Sequence, residues 1–150
     1  MQLILSICLP RDRASIPVTR HIVRNALWEI GVSDDCAYDI AIAQSEACTN
    51  VIDHSGPGDQ YELKVEVSET RCVLSVIDTG HGFDTVNVVD DSDPGSERGR
   101  GIQLMRALVD RVHFESRPDS GTAVYLEKTL HFRDGTLGAR RLRELEAEGA

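Results

Sequence analysis

The chain has 150 residues, of which 41% are hydrophobic and 27% are charged. These totals suit one globular domain, and no apolar run approaches the roughly 18 residues that a membrane-spanning helix needs. The formal net charge of −9 argues against a nucleic-acid-binding surface and is compatible with a basic protein partner. The four cysteines lack the spacing of a zinc site, which indicates buried, reduced thiols in a cytoplasmic protein.

The first third of the chain predicts one strand followed by two helices. In residues 2–9, large aliphatic side chains recur with a period of two, as in a strand, at Leu3, Leu5, Ile7 and Leu9. A helix is predicted from Ser15 until Gly31 closes it. Its expected core-facing side is an apolar stripe with a spacing of four residues, formed by Val18, Ile22, Ala26 and Ile30. A second helix is predicted after Ser33 and ends before a Gly-Pro-Gly loop.

The middle of the chain predicts two strands and a long loop. Residues 61–67 alternate cleanly, and residues 72–77 are apolar almost throughout, as expected of a central strand. The short link between them favours an antiparallel hairpin. Residues 84–98 lose all periodicity and are rich in aspartate, which predicts an acidic loop of a length that is often functional.

The last third returns to a helix, marked by Ile102, Met105, Leu108 and Val109. Two strands follow near 112–117 and 122–129. The order of elements predicts an α+β fold, a two-layer sandwich with helices on one face of a mixed, mostly antiparallel sheet. Residues 1–132 form the predicted domain. Residues 133–150 are polar with few apolar anchors, which predicts a frayed tail with at most a weak helix.

The second helix carries an unusual row of polar side chains. Glu46 and Asn50 are four residues apart and Asp53 follows three later, so all three share one face beside the apolar stripe. A solvated helix surface explains such a row on geometry alone. A functional site is the alternative.

Three glycine-containing stretches are also candidates for a site. Asp78 ends an apolar strand and is followed by Gly80 and Gly82, which permit close approach of a ligand to the backbone. An ordinary turn gives the same pattern. The stretch ERGRGIQLM, residues 97–105, places arginines and glycines at the start of a helix, where free N–H groups bind anions. A linker with a helix cap is equally compatible. Last, a Gly-Thr pair opens the final strand.

Taken together, these motifs resemble the N, G1, G2 and G3 boxes of the GHKL ATPases, which include gyrase and the histidine kinases. They are ExxxN on a helix, DxGxG after a strand, GxG opening a helix and GT opening a strand. The SEACTN form of the first box and the lead-in ASIPVTRHIVRNAL are similar to the bacterial anti-sigma factor serine kinases. The resemblance covers roughly residues 1–130 and implies the Bergerat ATP-binding fold.

The resemblance implies ATP and Mg²⁺ as cofactors. Glu46 is implied as the general base that takes the proton of a partner's serine hydroxyl. Asn50 is implied as the Mg²⁺ ligand and as part of the nucleotide site. The phosphates would be held by Gly99, Arg100 and Gly101.

The adenine end of the implied site lies at the glycine-bearing strand ends. Asp78 would accept a hydrogen bond from the adenine amino group, with Thr122 nearby. Gly80 and Gly82 would shape the wall, and residues 84–98 would form the lid.

The implied function is that of a protein serine kinase that sequesters a sigma factor and phosphorylates a serine of a small antagonist. Arg20 aligns with a position used for partner contact, and such proteins are often dimers. The acidic net charge and the lack of a long apolar run predict no direct contact with nucleic acid or membrane. Two alternatives are a nucleotide-sensing module that sequesters a partner without phosphoryl transfer, and a detached histidine-kinase ATPase domain.

Overall fold

The structure is a computed structural model that describes residues 1–54, 58–78, 97–117 and 121–149. Within these ranges the chain forms five strands and four helices. In chain order they are β1 Leu3–Pro10, α1 Ser15–Ile30, α2 Asp34–His54, β2 Gln60–Val67, β3 Arg71–Asp78, α3 Glu97–Leu108, β4 Arg111–Arg117, β5 Gly121–Thr129 and α4 Leu137–Glu148. Among the described residues, no helix has the length and apolar content that a bilayer span requires.

The strands form one sheet in the order β1-β2-β3-β5-β4. Every strand pairing in the described residues is antiparallel. The predicted α+β fold and the β2–β3 hairpin are therefore confirmed, and β3 is the central strand. The described sheet differs from the prediction only in that its pairings are antiparallel throughout.

One face of the sheet packs against the helices. On β2, Tyr61, Leu63, Val65 and Val67 are buried while the residues between them are partly exposed, as the alternation predicted. Helix α2 lies at the centre of the helical layer, where it contacts α1, α3, β3 and β5. Its side chains join the same apolar core, including Ile40, Cys48 and Val51. This central place makes α2 a rigid support for anything on its remaining face.

The predicted core stripe of α1 is wrong for Val18 and Ile22 and is confirmed for Ile30, which is buried. Val18 is 48% exposed and Ile22 is 40% exposed. The buried side lies about one residue further round the helix, and its members are Ser15, Thr19, Val23, Leu27 and Ile30. Polar partners explain this orientation, because Thr19 accepts a hydrogen bond from the buried Gln44 at 2.6 Å and the Ser15 hydroxyl bonds to that of Tyr61.

The cysteines are all free thiols in the structure. The prediction that they are buried is confirmed for Cys36, Cys48 and Cys72. It is wrong for Cys8, which is exposed on β1. Burial raises the pKa of Cys48 to about 11 and that of Cys72 to about 12. These two thiols therefore stay protonated at neutral pH and serve as small apolar core residues.

The polar C-terminal segment contains a helix. Thr136 caps α4 by accepting a hydrogen bond from the Ala139 N–H. Before it, Arg133 stacks on the Trp28 ring at 3.5 Å and donates to the Val32 carbonyl at 2.7 Å, which ties the segment to the end of α1. Gly138 is the buried residue of α4. That this tail frays in solution stays a prediction.

Candidate functional site

The candidate residues of the first motif lie on the face of helix α2 that is not occupied by its apolar core residues. Asn50 is 7% exposed although it is polar, and Glu46 lies one turn before it and is partly buried. Asp53 lies one turn beyond Asn50, where it accepts hydrogen bonds from the exposed Arg13. The row therefore divides into an inner pair, Glu46 and Asn50, and an outer ion pair at the surface.

The start of α3 lies against the inner pair. A β-carbon placed on Gly101 would lie 2.9 Å from the Oε2 atom of Glu46, closer than side chains pack. Because Gly101 has no side chain, there is space for the Glu46 carboxylate beside α3. Two motifs separated by about fifty residues of sequence meet here, and they put a carboxylate beside the N-terminal turn of a helix.

The other end of the site is formed by the adjoining ends of β3 and β5. Ile77 pairs with Ala123, so Asp78 and Thr122 come next along the two strands. Asp78 is fully buried and Thr122 is 6% exposed. Gly121, with φ +83°, approaches so closely that a β-carbon there would lie 2.6 Å from the Asp78 carbonyl oxygen. The Thr122 hydroxyl has no hydrogen-bond partner in the described part of the chain.

A residue that the sequence did not single out also belongs to this end. Arg11 directly follows β1, and its Nη1 lies 3.8 Å from the Oδ2 of Asp78. It also donates to the Ile52 carbonyl in the last turn of α2 at 2.9 Å. No local pattern marked Arg11, because it sits in a charged turn. A buried acid at a strand end, in need of a countercharge, was the available signal.

The remaining predicted site residues are placed less completely. Arg100 is exposed in the first turn of α3, and the backbone of Gly99 is helical there. Gly80 and Gly82 lie outside the described residues, as does the predicted lid up to residue 96. Arg20 is exposed on α1. The described part of the structure thus brings together Glu46 with Gly101, and separately Asp78 with Thr122.

The arrangement has the chemistry of a nucleotide site. One end offers a buried carboxylate and a hydroxyl that has no partner among the described residues, and both suit the polar edge of a base. The other end offers a helix N-terminus, an arginine, an amide and a carboxylate, which suit phosphates and a hard cation. Helix α2 connects the two ends, because it carries Glu46 and Asn50 and supplies the carbonyl that holds Arg11 beside Asp78.

Comparisons with known proteins identify the family of the chain. The family model of the histidine kinase-like ATPase domain matches residues 9–128. A serine-protein kinase RsbW of Halalkalibacterium halodurans is 32% identical over 136 residues, which span 84% of this chain and 83% of the relative. The serine-protein kinase RsbW of a Bacillus licheniformis strain is 34% identical over 135 residues, which span 81% of this chain and 83% of the relative.

A solved structure is also similar. The crystal structure of the RsbU and RsbW domains of a Mycobacterium tuberculosis protein superposes with a TM-score of 0.65 at 22% identity, covering 85% of this chain and 32% of that one. This likeness confirms the fold. The family resemblance inferred from the four motifs is confirmed by the family model and the sequence relatives. The chain belongs to the histidine kinase-like ATPase domain family and, within it, to the serine-protein kinases of the RsbW type.

Proposed function

We propose that this protein is an ATP-dependent protein serine kinase that acts as an anti-sigma factor. It binds a sigma factor and transfers the γ-phosphoryl group of ATP to a serine of a small antagonist protein. The observation that carries the proposal is the Glu46 carboxylate beside Gly101 at the start of α3, with Asn50 buried one turn away. Family membership indicates the class of reaction, which is phosphoryl transfer. The cluster supplies chemical groups suited to that reaction.

Glu46 is the proposed general base. The serine oxygen of the antagonist forms a bond to the γ-phosphorus while the bond from that phosphorus to the β–γ bridging oxygen breaks, and ADP leaves with the electron pair. The serine proton passes to the Glu46 carboxylate. Gly101 leaves room for that carboxylate at the N-terminus of α3, where the phosphate is to be held.

The phosphates are assigned to the first turn of α3. Helix α3 begins at Glu97, so the backbone N–H of Gly99 is among the first groups of the helix, which lack partners within it, and Arg100 and Gly101 follow directly. The helix dipole and the exposed Arg100 guanidinium add positive charge. Glycines allow the phosphate oxygens to approach the backbone closely.

Adenine is assigned to the ends of β3 and β5. Asp78 accepts a hydrogen bond from the exocyclic amino group, and the Thr122 hydroxyl, which lacks a partner in the described residues, bonds to the ring edge directly or through water. Gly80 and Gly82, outside the described residues, are proposed to shape the wall of this pocket. Because Gly121 has no β-carbon, it can lie directly against the Asp78 carbonyl, and the ends of β3 and β5 stay close together.

The residues present also fit a magnesium ion. Asn50 offers a hard amide oxygen on the same helical face as Glu46, and Mg²⁺ uses few protein ligands besides phosphate oxygens and waters. Mg²⁺, when bound, neutralises charge on the transferring phosphoryl group. Asn50 holds its position because α2 packs on both β3 and β5.

The partner surface is assigned to α1. Arg20 is exposed there, and its guanidinium suits an acidic group on the sigma factor or the antagonist. The protein is proposed to act in the cytoplasm, as a homodimer, without contacting nucleic acid or membrane itself.

The test uses labelled ATP, Mg²⁺ and a candidate antagonist. The wild-type protein labels a serine of the antagonist, and Glu46→Gln lowers the rate at least about a hundredfold, the lower range for a positioned general base. Glu29→Gln, a matched change of an exposed glutamate on α1, leaves the rate unchanged. Undiminished transfer by Glu46→Gln would refute its role. Tight ATP binding that is weakened by Asn50→Ala, without any phosphorylated partner, would instead favour a nucleotide-sensing module.

A further inference from the structure

Arg11 has an unusual environment for an arginine in a turn. Its side chain is only 11% exposed, and it lies beside a carboxylate, that of Asp78, which is fully buried. The two charged atoms are 3.8 Å apart. Removing two charges from water is costly, and a carboxylate that is buried without compensation is costlier still. The pair therefore has to be held together by its surroundings.

Backbone groups hold the guanidinium in place. One terminal nitrogen donates to the Gly58 carbonyl and the other to the Ile52 carbonyl, each at 2.9 Å. The Arg11 backbone N–H donates to the Asp59 carbonyl at 2.8 Å, which fixes the base of the side chain as well. The position of the positive charge is thus set by the end of α2 and by the segment leading into β2.

These contacts connect the two ends of the candidate site. The Ile52 carbonyl belongs to the last turn of α2, two residues after Asn50. Asp78 ends β3. Arg11 therefore spans the gap between the helix assigned to metal and catalysis and the strand end assigned to adenine. A cation fixed by backbone carbonyls thus lies beside the buried carboxylate.

We propose that Arg11 is a positioning residue for base recognition: it holds the Asp78 carboxylate in the place in which it accepts the amino group of adenine. The inference rests on the proposed function, because Asp78 has that role only if the site binds ATP. Arg11 itself touches the protein backbone and Asp78, and it acts on the nucleotide through Asp78.

The experiment compares ATP with inosine triphosphate, which has a carbonyl oxygen where adenine has its amino group. Binding of both nucleotides is measured by fluorescent-analogue displacement for the wild-type protein, Arg11→Gln and Arg11→Lys. Arg13→Gln is the matched control, since that arginine lies two residues away and pairs with Asp53 at the surface. Thermal unfolding of each variant is recorded alongside.

The wild-type protein prefers ATP. Arg11→Gln lowers the ratio of ATP affinity to inosine triphosphate affinity at least about tenfold, because the buried carboxylate loses the neighbouring cation that holds its position. Arg11→Lys lowers the ratio by a smaller factor, because lysine keeps a charge but lacks the fork that reaches both carbonyls. Arg13→Gln keeps the wild-type ratio.

An Arg11→Gln ratio equal to or above that of the wild type overturns the inference and makes the ion pair purely structural. If Arg11→Gln does not fold, Arg11→Lys decides in the same way: a lowered ratio supports the inference and an unchanged ratio overturns it. A wild-type protein that binds neither nucleotide overturns the proposed function instead, so the two failures are distinguishable.

Discussion

Replacing Gly101 with alanine tests the contact that joins α3 to the proposed base. The added β-carbon would lie 2.9 Å from the Glu46 Oε2 atom, whereas ordinary packing begins near 3.4 Å. The end of a glutamate side chain is flexible, so the carboxylate moves by about 0.5 Å while the helix stays in place. A displacement of 1 Å at a reacting group can lower the rate by about 10²-fold, so a displacement half as large predicts a kcat that is lower by about tenfold. This corresponds to about 1.4 kcal/mol of barrier.

Folding and nucleotide affinity are expected to respond differently. Alanine is favoured over glycine inside a helix by up to about 1 kcal/mol, so the free energy of unfolding stays constant or rises. The N–H groups of the first turn of α3 are kept, and the new methyl group points at Glu46. We therefore expect an unchanged dissociation constant for ATP. Single-turnover phosphoryl transfer, a nucleotide titration and urea unfolding measure the three quantities.

A double-mutant cycle identifies the cause of the lower rate. In a Glu46→Ala background, Gly101→Ala has no further effect on transfer, because the group it displaces is absent. Gln103→Ala, an exposed change on the same helix, serves as the control and leaves the rate as it is. An equal loss with and without Glu46, or an undiminished kcat in Gly101→Ala, contradicts the reasoning.

Two further predictions concern stability. Gly121→Ala lowers the unfolding free energy by at least about 2 kcal/mol, since it combines a positive φ with a β-carbon 2.6 Å from the Asp78 carbonyl oxygen. Gly135 also has a positive φ, but a β-carbon there would face open space. Gly135→Ala therefore lowers the free energy of unfolding, measured in urea, by less than Gly121→Ala does. Equal decreases for the two variants contradict the proposed clash. Burial raises the pKa of the Cys48 thiol from 9.0 to about 11, so the unfolded state releases this proton first and stability falls as the pH rises through that interval. Between pH 8 and pH 10 this thiol accounts for about 1.4 kcal/mol of the decline, and a Cys48→Ala protein with an equally steep decline excludes it as a source. The exposed Cys8 thiol reacts with a thiol reagent in the native protein, whereas the Cys48 thiol reacts only after unfolding.

Much of the fold could be predicted because the local patterns are strong. The alternation on β2 and the apolar run of β3 determine which side chains face the helices, since neighbouring residues of a strand point to opposite faces. Gly31, with φ +111°, ends α1 as predicted, because a left-handed helix end favours glycine. These features depend on residues that are close in sequence.

The rotation of α1 could not be predicted in the same way. Two stripes compete on this helix, and Val18 and Ile22 of the more apolar one are exposed. The buried stripe contains Thr19, whose cost of burial is offset by the hydrogen bond from Gln44 on α2. The orientation of α1 depends on Gln44, a residue of another helix. The periodicity of the α1 sequence contains no information about that residue.

By itself the sequence determined the five strands, the first three helices, their order and the four motifs, because spacing along a helix or strand fixes which side chains share a face. Only the tertiary structure decided which motifs meet. It set the Glu46 carboxylate against Gly101, and it placed Arg11 between the end of α2 and Asp78. Such contacts join residues far apart in the chain, and they follow from how the helical layer packs on the sheet and from where buried charges find their partners.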